Sequence, residues 1–286
     1  MKNTKVKLLE LNVKKRLSSD FLGAFKTAFK GSGMIFHDLR EYVVGDSIKN
    51  IDWKTTAKYN DVYVKNYEEE RNLKILFALD ISKGIEFGSE EKIKLDLLLE
   101  IFFILAFSAS KDLDTLGVLL YNGDTYDYID FKSGEENIFR AVNKINTLLK
   151  TNKAKDNLNT NLFKKLESLK IKNSLIFVLS DKTDFDSSAF KVFGQVNEIV
   201  FISIYDYFEN NLSDKKFSLN LKGAKGFLSI FFGNDEKRKK YITLRKQKIE
   251  NFKNKLRESY IDYIYMDTKT DVFRELLKFF KSRTGV

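Results

Sequence analysis

The chain has 286 residues, 43% of them hydrophobic, with 50 Lys and Arg against 40 Asp and Glu for a net charge of +10. This is enough apolar material for one large core or two modest ones, and it excludes an intrinsically disordered chain. With no cysteine and a single histidine, disulfides, thiolate zinc sites, cysteine nucleophiles and chemistry needing two imidazoles are excluded, so any metal would be a hard ion held by oxygen, such as magnesium, calcium or manganese.

The opening residues, MKNTKVKLLELNVKKRL, are basic but lack the uninterrupted apolar core and small-residue cleavage site of a secretory signal. Residues 1–72 hold Gly31, Gly33 and Gly45, a dense mixture of charges and the only Trp and His. They are expected to form an extended lobe packing on an α/β domain over residues 73–286. His37 reads as a solvated or hydrogen-bonded loop residue, since one imidazole alone is poor evidence for catalysis.

From Leu73 onward, short apolar runs alternate with helical patterns, the signature of a mostly parallel, doubly wound sheet covered by helices on both faces. KILFALD (residues 74–80) is the first strand, followed by a helix over about 90–110. The greasiest stretch, residues 97–107, is interrupted by Glu100 and is too short to span a bilayer. A cytoplasmic location is therefore expected, with no transmembrane segment. TLGVLLY (115–121) and TYDYIDF (125–131) are joined by Asn122-Gly123-Asp124, a strong hairpin signal, which predicts one antiparallel edge pair. A helix over 135–149, a polar loop over 151–161 and a short helix over 162–169 lead to SLIFVLSD (174–181), a second fully apolar strand. EIVFISIYD (198–206) is a third. A less regular stretch containing FLSIFF (227–232) precedes a basic helix over 237–257, with Ile242, Ile249, Phe252 and Leu256 on its apolar side. The strand YIDYIYM (260–266) and a terminal helix over 271–281 complete the chain. The basic helix is either a solvated face or a weak electrostatic surface for nucleic acid or anionic lipid; no specific nucleic-acid partner is expected, and peripheral membrane contact stays open.

In open parallel sheets, ligands bind beyond the carboxyl ends of the strands, where connections diverge. Two apolar strands end there in an aspartate, Asp80 and Asp181. Ser82 follows Asp80 by two residues, and Thr160 sits in the polar loop ahead of the second strand. Two readings stay open: a shell for a hard divalent cation completed by water, or ordinary capping of the helices that follow.

The segment GSGMIFHDLREYVVGDSIKNIDWKTTAKYNDVYVKNYEEERNLKILFALDISKG (residues 31–84) resembles the hallmark region of the domain of unknown function 58 family. Its pattern of Arg, Tyr, Gly-Asp, Ile-Asp-Trp and Ala-Arg is met by Arg40, Tyr42, Gly45-Asp46, Ile51-Asp52-Trp53 and Ala57-Lys58, with Lys replacing the final Arg. The resemblance implies a von Willebrand factor A-like, Rossmann-type domain acting as a non-enzymatic protein-interaction module. It also implies an adaptor or co-chaperone role beside a MoxR-type AAA+ ATPase acting on an unidentified client. A metal-ion-dependent adhesion site in such domains uses an Asp-x-Ser-x-Ser loop, a Thr and a further Asp. Carried over, these imply Asp80, Ser82, Thr160 and Asp181 as ligands of Mg2+ or another hard divalent cation. Gly84 stands where the second serine would be, which weakens the site and leaves a water to fill the position. Within the leading segment, Arg40, Asp46, Asp52 and Lys58 either form a charge network anchored by a buried Trp53 or make the surface offered to the ATPase.

Rival readings are weaker. A haloacid dehalogenase-type phosphatase needs a second aspartate where Ser82 stands, no Gly-x-x-x-x-Gly-Lys-Ser/Thr loop for nucleotide exists, and a nucleic-acid-binding protein rests on charge alone.

Overall fold

A computed structural model describes residues 3–30, 34–59, 61–69, 73–89, 91–111, 114–122, 125–150, 162–183, 185, 187–210 and 235–284. Helices α1 (Asn3–Arg16) and α2 (Ser19–Lys30) come first, then a small lobe. The lobe comprises strand β1 (Met34–Glu41), a 3-10 turn (Ile48–Asn50), helix α3 (Trp53–Tyr59) and strand β2 (Tyr63–Glu69). The α/β body follows as β3 (Lys74–Asp80), α4 (Lys94–Lys111), β4 (Thr115–Asn122), β5 (Thr125–Ser133), α5 (Glu136–Lys150), α6 (Leu162–Ser168), β6 (Leu175–Ser180), α7 (Ser187–Gly194), β7 (Glu198–Tyr205), α8 (Tyr207–Asn210), α9 (Asp235–Glu258), β8 (Asp262–Asp267) and α10 (Val272–Thr284).

The main sheet has the order β5-β4-β3-β6-β7-β8. Every neighbouring pair is parallel except β4 with β5, whose antiparallel ladder runs from Thr115 opposite Ser133 to Asn122 opposite Thr125. The predicted edge hairpin is therefore present. The chain leaves β3 toward β4 on one side and later returns to β6 on the other, so the strand order reverses between β3 and β6 in a Rossmann-like arrangement, and the connections diverge beyond their carboxyl ends.

Both faces of the sheet are buried, and the strand residues divide between them with the period of two that a pleat imposes. Ile75, Phe77 and Leu79 of β3 join Phe177, Ile202 and Met266 in one core with α4, α5 and α10. Leu76 and Ala78 face the other way with Leu166 of α6, Phe193 of α7, and Phe252 and Leu256 of α9. Helix α4 is apolar almost all round and buried along nearly its whole length, as a helix covered on both sides must be. Its outer covering includes α1, whose Val6, Leu9 and Val13 recur at one-turn and two-turn spacing against the core. Helix α2 adds Phe21 and Phe25, which meet Phe273 and Phe280 of α10 edge to face at centroid separations of 5.3 to 5.5 Å. Among the described residues of the first seventy, only the β1–β2 lobe is extended.

Helix α4 starts at Lys94, later than the pattern predicts, because residues 83–86 form a separate 3-10 turn and the Lys94 N–H bonds back to the Phe87 carbonyl. Asp271 lies just outside α10 as its cap, accepting the Arg274 N–H at 3.3 Å. In α9 the apolar side is real but unequal: Phe252 and Leu256 are buried, while Ile242 and Ile249 are only half-buried. The loop over 151–161, with Thr160, and the FLSIFF run lie outside the described residues.

Candidate functional site

Strand β3 ends on Asp80 and β6 on Ser180, with Asp181 one residue further, so pairing of these neighbouring strands brings Asp80, Ser82 and Asp181 to one rim of the sheet. Asp80 is fully buried. One of its oxygens accepts the Ser82 N–H at 2.9 Å and the other accepts the Ser180 hydroxyl at 2.7 Å. Burial raises the Asp80 carboxyl above the ordinary aspartate range, and the negative charge of Asp181 adds to the rise. The Ser82 hydroxyl and the Tyr121 phenol are buried at the same rim without a hydrogen-bond partner among the described residues.

Asp181 is held by a group that the sequence did not single out. Lys94, in the first turn of α4, donates to Asp181 Oδ2 at 2.8 Å and to Glu209 Oε1 at 3.1 Å, with a side chain only 4% exposed. Burial pushes the Lys94 ammonium toward neutrality, but Asp181 and Glu209 outweigh it and hold its pKa above the ordinary lysine value. Glu209 is shared in turn, accepting Arg245 Nη2 at 2.9 Å and the Asp206 N–H at 3.1 Å on its other oxygen. Asp206, directly after β7, is a third aspartate at this edge and, like Asp80, is fully buried. It is capped by Ser89, whose hydroxyl donates at 2.5 Å and whose N–H donates at 2.9 Å. Asp206 repeats the pattern that flagged Asp80 and Asp181, an acid ending an apolar strand, and could have been found by it. Lys94 carried a fainter signal: a cation in the first turn of a nearly apolar helix opposes the helix dipole and calls for a carboxylate partner.

Gly84 has a definite role here. A Cβ placed on it would lie 2.5 Å from Asp181 Oδ2, so the space that the family pattern gives to a second serine is occupied by the Asp181 carboxylate itself, where a water had been expected. A hard divalent cation needs six or more oxygens at about 2.0 to 2.6 Å. In the described geometry both Asp80 oxygens already accept hydrogen bonds, Asp181 holds an ammonium, and Gly84 offers no hydroxyl. The Ser82 hydroxyl and Asp181 Oδ1 take no hydrogen bond among the described residues, and Thr160 lies outside them. No group of three acidic or imidazole side chains able to hold a metal occurs among the described residues. As arranged among the described residues, the edge holds the Lys94 ammonium on Asp181 where a divalent ion had been expected.

The lobe offers a different kind of surface. Arg40 makes a two-pronged ion pair with Asp46, both contacts at 2.7 Å, and Asp46 also accepts the Val43 N–H at 2.9 Å. This pairing holds the Asp46 carboxyl below its ordinary range and closes a turn at Gly45, whose φ of +111° suits glycine. Tyr42 is half-buried, with its N–H on the Val62 carbonyl at 2.7 Å. Asp52 caps α3 through the Thr55 N–H at 3.0 Å, which lowers its pKa, and stands 3.8 Å from Lys65. Lys58 lies over the Tyr59 ring. The expected network is thus two separate pairs, and Trp53 is no buried anchor: it is 65% exposed, because α3 buries none of its residues. His37 lies in strand β1 at a register shift, so it is not a loop residue. Of the thirteen exposed large hydrophobic residues among the described residues, six fall within positions 43–62: Val43, Val44, Ile48, Trp53, Tyr59 and Val62. Exposed apolar residues are therefore concentrated in this one short stretch of the described chain.

The family model described as Protein of unknown function DUF58 matches residues 38–250. Uncharacterized proteins of Mycobacterium bovis and of two Mycobacterium tuberculosis strains are 26% identical to the chain over 143 residues, which is 50% of this chain and 45% of each relative. The matched stretch thus spans about half the length of these relatives.

Proposed function

Because the chain belongs to the DUF58 family, a family without an assigned function, we propose from the geometry that it is a non-enzymatic protein-interaction module whose small lobe carries the partner contact. The observation that supports this is the exposed apolar group of the lobe, with Trp53 65% and Val44 95% exposed on a scaffold made firm by the Arg40–Asp46 pair and the Asp52 cap. Tryptophan on a rigid element is the residue type most often responsible for binding energy at protein interfaces. The partner implied by the family resemblance is an AAA+ ATPase of the MoxR type, with this chain as its adaptor or co-chaperone toward a client.

A phosphatase mechanism finds little to work with. Asp80 is fully buried with both oxygens hydrogen-bonded, and Ser82 stands where the general acid of that chemistry would be. Among the described residues no helix is long and apolar enough to cross a membrane.

The test is capture of a purified MoxR-type ATPase by the full chain, with magnesium or with chelator, comparing wild type with Val44→Asp/Trp53→Ala. Loss of about 2 kcal/mol of binding, roughly thirtyfold, is expected in the double variant, with no effect of chelator. Unchanged capture by the double variant would overturn the lobe as the contact. Capture that chelator abolishes would return the contact to a metal held at the sheet edge.

A further inference from the structure

The cation demand of the β3–β6 edge is met from within the chain. Asp181 and Glu209 converge on one point, and the Lys94 ammonium occupies it at 2.8 and 3.1 Å. The lysine is not a surface residue that swings in, since its side chain is 4% exposed and its ammonium lies over the Phe87 ring, 5.4 Å from the centroid. Asp181 is free to sit here because Gly84 lacks a side chain that would collide with it. A hydroxyl aimed at the same rim, that of Ser82, is left buried with no partner among the described residues, a costly arrangement for an oxygen unless something once completed or can complete its shell.

We infer that Lys94 is the resident cation of this edge: a tethered ammonium stands in place of a divalent ion, and the rim of Asp80, Ser82 and Asp181 becomes a hard-cation site only when that ammonium is removed by substitution. The inference is independent of where a partner binds. An ammonium supplies a single positive charge and three directed donors. It therefore neutralises Asp181 and shares Glu209 while leaving Asp80 to the Ser180 hydroxyl and the Ser82 amide. A divalent ion at the same rim would face that ammonium at short range, so lysine and metal exclude each other.

Binding of Mn2+ by calorimetry and thermal unfolding in Mg2+, Mn2+ or chelator test this on the full chain, in wild type, Lys94→Met and Lys94→Met/Asp181→Asn. Wild type is expected to show no saturable Mn2+ binding and one melting temperature in all three solutions. Lys94→Met, which leaves the half-buried Asp181 and Glu209 carboxylates without their shared ammonium, should melt roughly 10 °C lower in chelator, recover most of that loss with Mn2+ or Mg2+, and bind Mn2+ saturably. Adding Asp181→Asn should abolish both the binding and the recovery. Should Lys94→Met not fold in chelator, Lys94→Met/Glu209→Gln, which removes the cation and one of its carboxylates together, gives the same comparison. Saturable Mn2+ binding by wild type that Asp181→Asn removes would overturn the inference. So would a folded charge-neutral variant at position 94 that gains no divalent-ion binding.

Discussion

Asp80 shows how a single buried carboxylate writes itself into the pH dependence of the fold. Its folded pKa is raised, mainly by burial and then by Asp181, so its contribution to stability is complete below the ordinary aspartate pKa and is lost as pH rises through the folded value. Asp80→Asn keeps an acceptor for the Ser82 N–H and a group opposite the Ser180 hydroxyl without the charge. It is expected to stabilise the protein, with a gain that grows as pH rises from the ordinary aspartate range toward neutrality, read as the urea midpoint across pH. A gain that stays constant across that range would contradict the assignment. Gly84 is the second such residue. Gly84→Ala drives a methyl group into an Asp181 oxygen that Lys94 pins, and should cost about 1–3 kcal/mol in chemical denaturation. Most of that cost should vanish in an Asp181→Ala background, since the clash has then lost its partner. Asp80, Ser82 and Asp181 were legible as residues flanking the ends of apolar strands. Glu209 was not, and Lys94 only faintly, because Lys94 lies 87 positions from Asp181 and 115 from Glu209 in the sequence, and no local pattern names the partners of a tertiary ion pair.

Among the elements, the strands were the most legible and the N-terminal helices the least. Runs such as KILFALD and LIFVLS are apolar on both sides because both faces of a parallel sheet are covered, and the observed β3 and β6 fall within the predicted runs. Helix α1 was hidden by dense charge, its core contribution being the narrow stripe Val6, Leu9 and Val13, whereas α2 carries few charges and its Phe21 and Phe25 were legible but unread. The α1 stripe acquires meaning only once α4 is in place beneath it. Phe25 is 1% exposed and packs against the Phe280 ring, so Phe25→Ala is expected to destabilise the body by about 3–5 kcal/mol. Guanidinium unfolding monitored by circular dichroism would measure this. A loss under about 1 kcal/mol would mean that α2 is not integral to the core. The opposite expectation holds for α3. Trp53→Ala removes a side chain that the body does not use, and should shift stability by no more than about 0.5 kcal/mol while weakening the partner contact.

At the scale of the whole molecule, the two candidate surfaces are built on opposite principles. The sheet edge is closed on itself, with ion pairs, capping serines and an internal ammonium satisfying its buried charges. The lobe is open, with apolar side chains held out by a polar frame. That contrast is why the partner contact is assigned to the lobe and the cation question to the edge, and why the two experiments can fail separately. Composition and periodicity by themselves determined the α/β class, the succession of strands and helices from residue 74 onward, the edge hairpin and the rim at which acidic residues collect. Each of these follows from local repeat and turn chemistry, which a linear sequence displays directly. Only the tertiary structure decided that Trp53 faces outward, that Asp181 fills the space at Gly84, and that Lys94 supplies the positive charge expected of a metal. Those outcomes depend on which distant side chains share a few ångströms of buried space, and burial, not sequence spacing, sets what each charge must find there.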